Sequence, residues 1–124
     1  MKYEERVAWL SRYRESMKRE RMLEQEMERL EKRQRQAARF LKKEEAEALL
    51  AGLRQELEQE LKRSAEMRGE VCGKIEELRV ERQRELMRRR YVLGQTFEEL
   101  AEDMYLDPRW CRRLHKAAVE SLEM

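Results

Sequence analysis

The sequence predicts an all-α protein: long N-terminal helices, paired as a coiled coil or a helical hairpin, then a small C-terminal helix-turn-helix bundle. Three observations predict it. Only four glycines and one proline interrupt 124 residues, too few for the turns of a sandwich, a barrel or a doubly wound sheet. Charged residues make up 45% and aromatics 6%; the dominant types (Glu, Arg, Leu, Ala, Lys, Gln, Met) are helix formers. Apolar residues also recur at steps of three and four along most of the chain. So many charged side chains exclude a large core.

The first element runs from residue 2 to about 41, without Gly or Pro. Tyr3, Val7, Leu10, Tyr13, Met17, Leu23, Met27, Leu30, Ala37 and Leu41 form its apolar stripe. The stripe is sparse and slips between Met17 and Leu23, so it needs a partner helix from this chain or another copy. Trp9 and Tyr13 share a face and are expected to staple the helix to that partner. The second element carries Ala46, Leu50, Leu53, Leu57 and Leu61, with Leu49 beside them. A bend is expected around Phe40 to Glu45, where Lys42 and Lys43 suit a helix end and Glu44 and Glu45 a helix start. Gly69 and Gly73 are expected to mark a boundary. The division is then 1–68, an oligomerising helical region, and 69–124, a compact domain.

The C-terminal domain has regular punctuation. Ile75, Leu78, Leu86, Met87, Tyr91 and Val92 lie on helical spacing, which leaves open whether 72–92 is two helices or one bent helix. Gly94 suits a helix end, with Arg88, Arg89 and Arg90 in the last turn. Thr96-Phe97-Glu98-Glu99 reads as a capping box. Asp107-Pro108 reads as a second start, with Asp as cap and Pro at the first helical position. The final helix buries Cys111, Leu114, Ala118 and Leu122. Its other side carries Arg109, Trp110, Arg112, Arg113 and Lys116. Two short helices joined at Tyr105-Leu106-Asp107 form the layout of a helix-turn-helix, whose second helix enters a major groove. Arginine reads guanine edges or holds phosphate, and lysine suits phosphate.

Charge supports that placement. The total is 29 basic against 27 acidic, a net +2, uninformative alone. Residues 10–43 hold 12 basic and 6 acidic side chains, residues 44–60 hold 1 and 6, and residues 108–119 hold 4 and none. The acid-free segment, 108–119, covers all but the end of the final helix.

The stretch from Ile75 to Leu122 resembles the helix-turn-helix of sigma-70 region 4, in particular its small phage versions, the ArpU and RinA type late-transcription regulators and related prophage proteins. The resemblance rests on Arg90-Tyr91-Val92 with Gly94, Thr96-Phe97-Glu98-Glu99-Leu100-Ala101, Arg113-Leu114-His115, Ala118-Val119 and Leu122, and spans about 50 of the 124 residues. It implies double-stranded DNA as partner, prophage gene control, and RNA polymerase contact in true sigma factors. By position, Arg109, Trp110, Arg112, Arg113 and Lys116 fall on the recognition helix. Arg88, Arg89 and Thr96 fall where backbone contacts are expected. Nothing resembles the other sigma regions, so a complete sigma factor is not expected.

Other chemistries find little footing. Cys72 and Cys111 lack metal or disulfide spacing, so no metal, cofactor or catalytic residue is expected. No phosphate loop or apolar carboxylate pair points to an enzyme. His115, the single histidine, is expected at the edge of the final helix's inner face. The N-terminus lacks a signal-peptide core and no run spans a membrane, so a cytoplasmic, nucleoid-associated homo-oligomer is expected. Two alternatives remain: a small-terminase-like packaging protein, and a helical interaction or scaffold protein without specific DNA binding.

Overall fold

The computed structural model describes residues 1–36 and 42–124. They form five helices, α1 (Tyr3–Gln36), α2 (Lys43–Glu76), α3 (Glu81–Tyr91), α4 (Phe97–Met104) and α5 (Pro108–Ser121), with no strand among the described residues. The fold class is all-α. No helix among these residues is long and apolar enough to cross a membrane.

The chain divides into two units. One joins Met1–Arg14 to Ala65–Met124; the other is Glu15–Ser64. This differs from a single cut at 68/69, because the first turns of α1 share the core of the C-terminal helices. Leu10 is fully buried there with Val71, Ile75, Leu86 and Val119, and Tyr3, Val7, Trp9 and Tyr13 pack against it. Trp9 and Tyr13 therefore do staple α1, and their partner is the C-terminal bundle.

Gly69 and Gly73 break nothing: α2 runs through both. Val71, Ile75 and Leu78 are buried, and the two glycines fall on the opposite side of the 3.6-residue repeat. A Cβ at either would meet nothing within 4 Å. Burial of the inner stripe outweighs the roughly 1 kcal/mol each glycine costs. The helix ends instead at Glu76, so 72–92 holds two helices. α3 starts after Val80, which caps without a side-chain hydrogen bond.

In the second unit, α1 residues 15–36 lie antiparallel to α2 residues 43–64. Ser16 hydrogen-bonds Glu60 and Ser64, each at 2.6 Å, and the Arg19 Nε donates to Glu60 at 2.8 Å. The Ser16 hydroxyl has one proton and gives it to the carboxylate, so Ser64 donates to Ser16. That hydrogen bond is the main influence holding the Glu60 carboxyl below its usual range, aided by Arg19 against the effect of burial. Ser16 and Arg19, on either side of Met17 where the apolar stripe thins, thus form a polar layer with Glu60 and Ser64 in the seam. On α2 the buried position after Leu57 is Glu60, and Leu61 and Leu49 face solvent. Of the bend expected at Phe40–Glu45, Phe40 and Leu41 lie outside the described residues, as does Ala37. Lys43 opens α2 rather than closing α1, with Glu44 and Glu45 in its first turn.

Candidate nucleic-acid interface

The last three helices are built by local signals. α3 ends at Tyr91, and Gly94 follows with φ +74, where L side chains are strained. A Cβ at Gly94 would also collide with the Arg14 guanidinium. Thr96 accepts from the Glu99 amide at 3.2 Å, and the Glu99 carboxylate accepts from the Thr96 amide at 3.4 Å, completing the capping box. The turn into α5 has no glycine, so Tyr105 takes the left-handed conformation, φ 55 and ψ 45. Asp107 caps α5, accepting from the Arg109 amide at 2.8 Å, and Pro108 opens the helix.

α5 has two contrasting faces. Cys111, His115, Ala118, Val119 and Leu122 are buried, and burial also pushes the Cys111 thiol up. Arg109, Arg113 and Lys116, spaced by four and three, form one exposed stripe. Among the described residues none of the three makes an ion pair; Trp110 beside them is 52% exposed. Arg112 lies at the edge, 5.2 Å above the Phe97 ring and 3.5 Å from Glu98. That pair is exposed on both sides and holds Arg112 weakly.

The backbone-contact residues expected from sequence are engaged elsewhere. Arg88 pairs with Glu76. Arg89 reaches Glu85 at 3.3 Å and Asp103 at 3.4 Å. Thr96 spends its amide and a hydroxyl lone pair on the capping box. The structure thus gathers Arg109, Trp110, Arg112, Arg113 and Lys116 on one face, and leaves Arg88, Arg89 and Thr96 bound to other partners.

Behind the stripe, two α1 residues brace α5. The Arg6 Nη1 donates to the carbonyls of Val119 (3.0 Å), Glu120 (3.1 Å) and Leu122 (2.6 Å). Nη1 has two protons and shares them among the three; Val119 also accepts from the Leu122 amide at 3.3 Å. His115 lies between two hydroxyls, Tyr91 at 2.6 Å from Nε2 and Tyr3 at 3.3 Å from Nδ1. Phe97 meets its ring edge-on at 5.3 Å. Burial, then the Arg90 charge, pushes its pKa down to about 4. Burial raises the Tyr91 pKa above the usual phenol value, so that hydroxyl stays protonated. A neutral imidazole has one donor and one acceptor, and the two tyrosines satisfy either tautomer. This packing role explains the histidine.

Spacing puts Tyr3 on the α1 stripe and Tyr105 in the turn, but gives neither the Tyr3 contact with His115, nor the Arg6 contacts with α5, nor the left-handed Tyr105. The first two act across more than a hundred residues, where no spacing rule applies. Tyr105 had a signal: a three-residue turn between capped helices with no glycine to take the left-handed position.

The chain matches no family model, no curated protein and no solved structure.

Proposed function

We propose that this protein is a DNA-binding transcriptional regulator of the phage or prophage type, which reads double-stranded DNA with α4–α5 and dimerises through its N-terminal helices. One observation carries the reading: Arg109, Arg113 and Lys116 stand on a single stripe of α5 without an ion pair among the described residues, on the first three turns of a helix fixed from behind by its buried face. Unpaired exposed cations approach phosphates and guanine edges without first breaking an ion pair. The likeness of residues 75–122 to sigma region 4 supports the same reading. Two readers on repeated half-sites raise affinity, which is the physical reason for a dimer. RNA polymerase contact follows from the likeness alone.

The test is fluorescence anisotropy with random genomic duplexes, then with the sequences they enrich, across a salt series. Three phosphate contacts per reader give a log–log slope of about −3 per copy. Substituting Arg109, Arg113 and Lys116 together by Ala should abolish binding and the slope. Wild-type binding that ignores salt, or a triple variant that binds like wild type, would overturn the reading.

A second reading, a helical interaction protein without specific DNA binding, draws on α4. That helix carries Glu98, Glu99, Glu102 and Asp103, with Glu98 3.5 Å from Arg112, and acids repel phosphate. It predicts no retention of any duplex at physiological salt.

A further inference from the structure

The helical hairpin of residues 15–64 is under-buried. Ser16, Glu60 and Ser64 are as buried as its two best-buried apolar residues, Ala46 and Leu50. Leu23, Met27, Leu30, Leu53 and Leu57 are only half-buried, while Met22 is 62% and Leu49 60% exposed. Isolated helices with so thin a seam are marginal in water.

The exposed apolar surface is not spread evenly. Two hollows, about 310 and 290 Å³, open on the hairpin, and both are lined by Glu26. Their α1 lining is Arg19, Met22, Glu26, Arg29 and Arg33, at steps of three and four, together with the half-buried Leu23 and Leu30 of the seam. On α2, Leu49, Leu53 and Glu56 continue the same spacing. One face of the hairpin therefore carries a second stripe on each helix, flanking the seam. Leu61 lies on the other flank of α2.

The charges of this face indicate what covers it. Glu60 is already held by Arg19 and Arg63. Glu26, Glu56, Arg29 and Arg33 also border the hollows, and among the described residues none of these four forms an ion pair. Two acids and two bases left over on one face of mixed charged and apolar residues match an identical face turned about a twofold axis. A uniformly basic or acidic partner would leave half of them opposed by like charge. The size also fits. At 1.5 Å per residue, helix segment 15–36 is about 33 Å long. Two helices side by side are about 20 Å wide, giving about 650 Å² per copy, within the range of stable interfaces when doubled.

We infer that a second copy of this chain docks on the hairpin face bearing Met22, Leu49 and Leu53, closing a four-helix arrangement. The inference deepens the proposed dimer by naming its surface, and its tests use no DNA.

Light scattering on the full chain should give twice 15.3 kDa. The double variant Met22→Lys and Leu49→Lys should give the single-chain mass with its helicity retained, and Leu61→Lys should keep the doubled mass. A charge-swap pair guards against simple loss of folding. Arg29→Glu with Arg33→Glu makes the face acidic, and Glu26→Arg with Glu56→Arg makes it basic. Each should weaken self-association at least tenfold, and an equimolar mixture should restore the doubled mass. A wild-type monomer, a Leu61→Lys monomer, a lysine double variant that stays dimeric, or a mixture that stays monomeric would each overturn the inference. A dimer that ignores DNA would instead defeat the DNA reading alone.

Discussion

Acid should loosen the C-terminal unit through one residue. His115 sits among Tyr3 from α1, Arg90 and Tyr91 from α3 and Phe97 from α4. Their packing buries the ring, which disfavours its charged form, and Arg90 adds a fixed positive charge. Its pKa is about 4 folded against about 6.5 unfolded. The unfolded state therefore binds the proton first, and stability is full above pH 6.5 and lost as pH falls towards 4. At about 1.4 kcal/mol per pKa unit the whole difference is about 3 kcal/mol, of which about 2 is gone by pH 5. For a unit of this size that is a fall in Tm of about 10 °C. Glu60, in the other unit, has a lowered pKa, so its contribution disappears only further into acid. The assay is thermal melting by circular dichroism and tryptophan fluorescence from pH 7.5 to 4.5, for wild type and His115→Gln. Glutamine keeps a donor and an acceptor for the two tyrosines but cannot titrate. Wild type should lose about 2 kcal/mol more than the variant between pH 7.5 and 5. Equal losses in the two proteins would refute the reasoning.

Two further predictions concern backbone groups. Tyr105 is 95% exposed and left-handed, so Tyr105→Gly relieves strain without removing a buried contact and should raise stability by about 1 kcal/mol in a denaturant titration. Arg6→Met keeps the apolar stem but takes the guanidinium donor from the Glu120 and Leu122 carbonyls, while Val119 keeps the Leu122 amide, and should lower stability by about 1–2 kcal/mol; a loss under 0.5 would mean that water replaces the guanidinium fully.

Local order was legible in the sequence wherever a residue's job depends on its near neighbours. Thr96 with Glu99, and Asp107 with Pro108, place two helix starts through contacts two or three residues long, and both form as read. Spacing alone places Cys111, Ala118 and Leu122 on the inner face of α5, but Leu114 is only half-buried, and Val119 and His115 complete the face instead. The glycines show the opposite case. Gly69 and Gly73 have the composition of a boundary, but a helix breaks only where its buried stripe gives out, and Val71 and Ile75 keep the stripe alive. The seam of the hairpin misled for a related reason. Counting apolar residues chooses Leu61, whereas packing chooses Glu60, because Ser16 and Arg19 satisfy its charge. A polar residue inside a seam is readable only once its partner is known, and that partner is forty-four residues away.

The same limit governs the arginines, and it changes how the basic content bears on function. Arg6 holds the end of α5, Arg82 donates to the Met104 carbonyl at 2.8 Å, Arg84 to Leu78 at 2.6 Å and Arg90 to Gln95 at 2.8 Å. Each ties a helix end or turn that would otherwise leave a carbonyl unpaired. These side chains raise the positive charge of the C-terminal unit as much as Arg109 and Arg113 do, yet releasing any of them to a phosphate strips a carbonyl of its partner. Arg88 and Arg89 are intermediate, since their exposed ion pairs break at little cost. Basic density is therefore a poor guide to a binding face in a chain so rich in arginine. The informative quantity is the number of cations with no internal partner, and on α5 those fall on one stripe.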